Sequence, residues 1–280
     1  MSLYTIHMNR LIIGILIIFA TIGCDNTSNE YEDDTLTSND YPDYPNFNPK
    51  KWNTLIKKQL PSLKNERIIL TFDLENRDNI DTSNLFNYVI GVFINSCEFK
   101  SLPKDFLLFT NIQEMDIVST KIDTLNSWIG DFEHLRRLSI YDSQLQYIPK
   151  SIGNLKTLEE LELFRSDIQS IPQEIGNLTQ LTDLRISSNN ISEFHDEWKN
   201  LKNLKRLEIS DKNLLVLPEF ILALVDLEYL KLSGDLSSLP DEISKLKKLE
   251  KLDCTWNSFD SIQKQHIIDL LPNTKIEFEY

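Results

Sequence analysis

The stretch SIGNLKTLEELELF, residues 151–164, returns as EIGNLTQLTDLRIS at residues 174–187, a displacement of 23. In both copies the last seven residues carry apolar side chains at their first, fourth and sixth places: Leu158, Leu161 and Leu163, then Leu181, Leu184 and Ile186. The same pattern also begins at Val89, Ile112, Leu135, Leu204, Leu227 and Leu249, so that eight starts are separated by six steps of 23 residues and a last step of 22. Counting each start as position 0, positions 3 and 5 are apolar in every unit, down to Leu249, Leu252 and Cys254. Side chains alternate along a strand, so positions 3 and 5 face one way and positions 2, 4 and 6 the other. One face is therefore core and the opposite face is open.

The second half of each unit is punctuated differently. Leu102-Pro103, Ile148-Pro149, Ile171-Pro172, Leu217-Pro218 and Leu239-Pro240 recur at positions 13 and 14, or 12 and 13 in the shortened seventh unit. Proline has no N–H to give to a central strand, so this half returns over the other side as a turn or short helical segment. A single unit cannot bury its leucines, and stacked neighbours supply one continuous core.

These residues resemble the leucine-rich repeat, over residues 89–280, about two thirds of the chain. The resemblance implies an α/β solenoid, an arc or horseshoe of about eight repeats, with a parallel sheet on the concave face and caps at both ends. In such repeats position 8 is usually Asn, whose amide bridges neighbouring turns. Here it reads Cys97, Thr120, Ser143, Ser166, Asn189, Lys212, Asp235 and Asn257, so local irregularity is expected near Lys212 and the shortened unit. Residues 50–88 are taken as an N-terminal cap, with helical spacing at Trp52, Leu55, Ile56 and Leu60 and a strand from Ile68 to Leu74. Leu270 to Asn273 and the alternation Ile276, Phe278, Tyr280 read as a short helix and a closing strand.

Ahead of the repeats lie two segments of another kind. Arg10 precedes twelve uncharged residues, Leu11 to Ile22, too few to span a bilayer but typical of a signal-peptide apolar region. Thr21-Ile22-Gly23-Cys24 resembles the lipobox of bacterial lipoproteins, although Leu is commonest where Thr21 stands. The resemblance implies a signal peptide over 1–24, acylation of Cys24 and attachment to a membrane of the bacterial cell envelope; an unlipidated signal peptide is the alternative. Two or three acyl chains hold a protein on a membrane essentially permanently, at roughly 0.8 kcal/mol per buried methylene. Residues 25–49 contain seven acids, no Lys or Arg, and Pro42, Pro45 and Pro49, which reads as a disordered acidic tether reaching roughly 25–30 Å. An acidic stretch after the lipobox is similar to surface-export signals of some lipoproteins, whereas Asp25 alone is similar to an inner-membrane retention signal, so outer membrane or cell surface is the expected address.

Net charge is −14, half of it in the tether, and no basic stripe is present for phosphates. Nucleic acid is excluded as a partner on this ground. The three cysteines divide into Cys24, Cys254 as a small core hydrophobe, and Cys97 on the position-8 row; seven strand spacings separate the last two, so no disulfide is expected. The four histidines, His7, His134, His195 and His266, have no triad-like or zinc-like neighbours, and no phosphate-loop glycine pattern exists. No enzyme, metal or cofactor is expected.

Function therefore falls to the open face. Position 4 reads Phe93, Asp116, Ser139, Glu162, Arg185, Glu208, Lys231 and Asp253, alternating in sign from Glu162 onward, which predicts a ladder of exposed ion pairs. Position 6 presents Val118, Tyr141 and Phe164 on three successive units, followed by Ser187, Ser210, Ser233 and Thr255. Exposed aromatics on a rigid surface are the material of a binding hot spot, so Val118, Tyr141 and Phe164, with Arg137 and Arg165 beside them, are the candidate ligand contacts and Trp256 a lesser one. The alternative is that the rings only stack on one another. The expected role is binding of a protein or peptide by a lipid-anchored monomer. A carbohydrate-binding part of an uptake assembly and a structural envelope spacer are the competing readings.

Overall fold

The computed structural model describes residues 15–18 and 67–73 as backbone, and residues 89–95, 97, 100–187, 191 and 193–279. Cys24, the 25–49 tether and the helix expected before Pro61 lie outside the described residues. Among the described residues eleven strands form one sheet in chain order: β1 (Ile15–Ile18), β2 (Arg67–Asp73), β3 (Val89–Asn95), β4 (Glu114–Val118), β5 (Arg137–Tyr141), β6 (Glu160–Phe164), β7 (Asp183–Ser187), β8 (Arg206–Ser210), β9 (Tyr229–Ser233), β10 (Lys251–Asp253) and β11 (Lys275–Glu277). β3 to β11 are parallel. β2 runs antiparallel to β3, and β1, from the apolar leader stretch, runs antiparallel to β2.

Register follows the repeat. Leu138, Leu161, Leu184, Leu207 and Leu230 sit opposite one another on successive strands, and all are buried. Burying each such side chain stabilises the fold by roughly 1.5–3 kcal/mol. The residue ahead of each strand locks the next coil in place: Arg136 N donates to Gln113 O, Glu159 N to Arg136 O and Thr182 N to Glu159 O, each at 2.8 Å.

The proline half closes each coil with a five-residue 3-10 turn, at Lys104–Leu108, Ser127–Asp131, Lys150–Asn154, Gln173–Asn177, Asp196–Asn200, Glu219–Ala223 and Asp241–Lys245. Proline immediately precedes five of the seven and is pre-set at φ between −59° and −72°. A buried Phe or Leu follows every turn, so the stop residue is also core. Gly130, Gly153 and Gly176 occupy one place in successive units, where a Cβ would meet the carbonyl oxygen of Ser151, Glu174 or Glu197 at 2.3, 2.5 and 2.2 Å. In the next unit the inward residue at this turn is the fully buried Trp198, against Phe194 and Phe220 at ring centroids of 5.8 and 5.3 Å, with its indole N–H donating to Pro172 O at 3.3 Å.

Most of the position-8 row lacks its usual amide. Ser143 and Ser166 join hydroxyls at 2.9 Å, and Cys97 Sγ donates to Asn95 O at 3.6 Å. Asn257 bridges properly, accepting from Leu236 N at 3.0 Å and donating to Leu232 O at 2.7 Å. Near Lys212 the bridging has moved one residue back: buried Asp211 accepts from Ile191 N at 3.0 Å and Asn213 N at 2.9 Å. The chain also changes path here. Position 7 is left-handed at Ser119, Asp142, Arg165 and Trp256, with φ of 51°, 50°, 46° and 64°, but not at Asp211. Gly234 fills that place in the seventh unit because a Cβ there would lie 2.6 Å from Leu214 O and 2.7 Å from Asp211 O.

At the C-terminal end the helix α1 (Ser261–Leu270) begins earlier than the sequence indicated, capped by Asp260 accepting from Gln263 N at 2.8 Å, and Pro272 follows its end. β11 is three residues long and carries Lys275 and Glu277, which blunts the sheet edge against further pairing. Among the described residues no helix is long and apolar enough to cross a membrane.

Gly176→Ala tests the close approach of the turns. It should destabilise by about 1–3 kcal/mol through overpacking, whereas Lys199→Ala, one unit on at an exposed site, should be near neutral. Equal melting temperatures for both variants would reject the close contact.

Candidate functional site

The open face combines side chains from consecutive parallel strands, so its composition is that of positions 2, 4 and 6. Tyr141 on β5 and Phe164 on β6 are register partners, half-buried, with ring centroids 5.0 Å apart and planes 9° from parallel. Val118 is the register partner of Tyr141 on β4 and is also half-buried. The three make one apolar strip across β4, β5 and β6. The rings do stack, yet neither is fully covered.

Beneath the strip lies a carboxylate that the sequence placed at the surface. Glu162 is only 7 % exposed. Its carboxylate accepts from Tyr141 Oη and from Ser139 Oγ, the latter at 3.0 Å, and pairs with Arg185 Nη1 at 2.7 Å. Burial, followed by the hydrogen bond to Glu162, pushes the Tyr141 phenol well above its ordinary range. Asp253, predicted to be exposed, is buried likewise and accepts from Thr255 N at 3.0 Å and Thr255 Oγ1 at 2.7 Å.

The expected ion-pair ladder is thus real only in part. Arg185 bonds Asp183 on its own strand through two nitrogens, at 2.9 and 2.8 Å, as well as Glu162, and Lys231 meets Glu208 at 3.4 Å. Arg206 lies 3.8 Å from Asp183 and puts its guanidinium carbon 3.8 Å from the centre of the Tyr229 ring. Lys251 approaches the same ring at 5.7 Å and pairs with Glu277 at 2.8 Å. Hydrogen bonds from Lys251 and Lys275 pull the Glu277 carboxyl down to about 2. Burial raises the carboxyls of Asp116 and Glu160 above their ordinary values, against the attraction of Arg137.

Arg137 and Arg165, the two cations expected beside the strip, are each held by acids. Arg137 lies four residues before Tyr141 on β5, roughly 13 Å away along the strand, and pairs with Asp116 at 2.8 Å and Glu114 at 3.5 Å. Arg165 is exposed in the turn after β6 and pairs with Asp142 at 2.8 Å. Both cations already have acid partners, Arg137 on the face and Arg165 in the turns that border it.

A second feature lies beyond the strip. A shallow, open depression of about 650 Å³ runs over the C-terminal strands, lined by the hydroxyl residues Ser166, Ser187, Ser210 and Ser233 together with Asp167, Lys212 and Trp256. The sequence signal for it was the run of small residues at position 6, which opens space only once the strands are aligned. Cys97 and Cys254 are buried thiols away from this face, and burial pushes the Cys254 thiol up to about 12. Among the described residues no group of three or more His, Cys, Asp or Glu side chains is placed to hold a metal ion.

The leucine-rich repeat region family matches residues 56–197 and 173–273. Among solved structures, a leucine-rich repeat protein of Leptospira interrogans is similar at 30 % identity and TM-score 0.65, over 70 % of this chain and 50 % of that one. The chain thus spans half the length of that protein. The leucine-rich repeat ectodomain of the Arabidopsis receptor kinase HAESA, solved in complex with an N-terminally extended peptide hormone ligand, is similar at 29 % identity and TM-score 0.52, over 59 % of this chain and 29 % of that one. Internalin C2 of Listeria monocytogenes shares the fold at 14 % identity and TM-score 0.57, covering 74 % and 86 %. No curated protein matches the chain.

Tyr141 gives a pH test of the buried hydrogen bond. A phenol held neutral by the fold contributes stability that is full below the unfolded value of about 10 and is lost as pH rises through the higher native value. The alkaline absorbance difference between wild type and Tyr141→Phe should therefore be absent at pH 10–11 and emerge only above it. An ordinary midpoint would refute the contact with Glu162.

Proposed function

Because the chain belongs to the leucine-rich repeat family, we propose that it is a non-enzymatic binding module, held on a bacterial envelope membrane by a lipid on Cys24, that takes a protein or peptide partner on its sheet face. The observation that carries this reading is the strip Val118, Tyr141 and Phe164: half-exposed, rigid, and set among charges that are already paired with one another. A partner gains by covering apolar rings, because rigid aromatics supply contact area at low entropic cost, while the paired charges around them fix orientation more than affinity.

The similarity to a receptor ectodomain solved with a peptide supports a ligand of that class. Size supports it too. The eight repeat strands, β3 to β10, at about 4.8 Å give a face roughly 34 Å by 15 Å, near 500 Å², below the approximately 800 Å² per partner of a standard protein interface. An extended peptide fits that area, and a folded partner has to reach onto the flanks.

Anchoring rests on the apolar stretch from Leu11 to Ile22 followed by Gly23-Cys24, and on the acidic segment after it, whose composition suits a tether on the outer membrane or cell surface. Processing ahead of Cys24 removes Ile15–Ile18 and leaves β2 as the sheet edge.

Peptides selected from a displayed random library against the full chain test the site. Tyr141→Ser with Phe164→Ser should weaken their binding at least tenfold while the melting temperature stays within a few degrees; peptides that bind the double variant as well as wild type would remove the strip from the site. For the anchor, metabolic labelling with an alkyne fatty acid should mark the wild-type protein and not Cys24→Ser. Equal labelling of the two, or none of either, would defeat the lipoprotein reading.

A further inference from the structure

We propose that the depression over the C-terminal strands is a second binding site, distinct from the aromatic strip, and that it takes a neutral carbohydrate segment. Four observations converge on it. Trp256 stands on its rim, 70 % exposed, an indole large enough to lie against the C–H face of a sugar ring. Its left-handed turn belongs to the repeat, shared with Ser119, Asp142 and Arg165, so the conformation says nothing about a ligand; the ring placed there does.

The floor supplies the second observation. Ser233 is 7 % exposed, yet its Oγ has no hydrogen-bond partner, and Ser210 Oγ, on the neighbouring strand, is buried and unpartnered in the same way. A buried hydroxyl left without a partner is costly, and one that gains a partner from a ligand recovers that cost. Rotation about χ1, between ordinary staggered wells, turns either oxygen toward the depression that both residues line.

Charge is the third. Asp167 and Lys212 lie on the rim, and neither is in an ion pair among the described residues, whereas Asp211 is engaged with backbone N–H groups and Lys231 with Glu208. The lining holds two acids and two bases, with no excess for an anion or a cation. A carboxylate that accepts and an ammonium that donates are the pair of groups that neutral sugar hydroxyls can satisfy together.

Shape is the fourth. The depression is open and spans several coils, with hydroxyls recurring at the strand spacing of about 4.8 Å, and apart from Trp256 and Gly234 every residue lining it is polar or charged. A flat chain of rings lies along it better than a branched or compact ligand.

The test uses the full chain carrying fluorotryptophan, with the Trp256 signal assigned by Trp256→Phe, and four neutral probes: cellohexaose, maltohexaose, mannohexaose and chitohexaose. At least one should shift the Trp256 fluorine resonance saturably and leave the buried Trp198 signal in place. By calorimetry, Trp256→Ala should weaken that sugar about tenfold, and Ser233→Ala and Asp167→Asn by roughly two- to fivefold each. Tyr141→Ser should leave sugar affinity unchanged, which separates this site from the peptide site. No response to any of the four probes at millimolar concentration, full affinity in Trp256→Ala, or stronger binding of an acidic oligogalacturonide than of every neutral probe would each overturn the assignment.

Discussion

Everything in this molecule depends on the in-register stacking of identical coils. A single coil exposes as much leucine as it covers, and becomes stable only when Leu161 lies against Leu184 and Leu184 against Leu207, with a backbone hydrogen bond tying each coil to the next. That constraint sets the strand register, and the register decides which outward side chains become neighbours. The open face is therefore a by-product of core packing. Its chemistry is whatever positions 2, 4 and 6 of adjacent units hold.

The turn side is where the repeat is most tightly constrained. Gly130, Gly153 and Gly176 let neighbouring 3-10 turns come within a carbonyl's contact; in the next unit the glycine's place is the exposed Lys199, and the inward place beside it, Ile in the three preceding units, holds Trp198 in an aromatic cluster with Phe194 and Phe220. Asp211 shows a similar exchange. With a carboxylate, one residue early, it reproduces the accepting half of the bridge that Asn257 makes, without the amide donation to Leu232 O, and the altered path there requires Gly234 in the next unit. Irregular units thus keep their backbone groups satisfied by a different route, since buried N–H groups must find acceptors whatever the local sequence.

On the open face the two halves differ in kind. Toward the N-terminal end, bulky position-6 residues cover a buried carboxylate and leave an apolar strip. Toward the C-terminal end, serines at the same position leave a hollow rimmed by Trp256. One repeated scaffold therefore presents two surfaces of different chemistry, an apolar strip and a polar trough. The change occurs between Phe164 and Ser187, over a single coil.

The sequence by itself determined the period, the inward positions, the proline-marked return and the place of the irregularity near Lys212, because each is written as a residue type at a fixed spacing. It also named Val118, Tyr141 and Phe164 as a row. Only the tertiary structure decided what that row does to its surroundings: that Glu162 is sealed beneath it, that Arg185 turns to Asp183 on its own strand as well as across it, and that Arg137 and Arg165 are held by other acids. It alone opened the trough at Ser210 and Ser233. Periodicity fixes which way a side chain points; which partner it chooses among several within reach, and how much water is left above it, depends on distances between coils that a one-dimensional pattern does not contain.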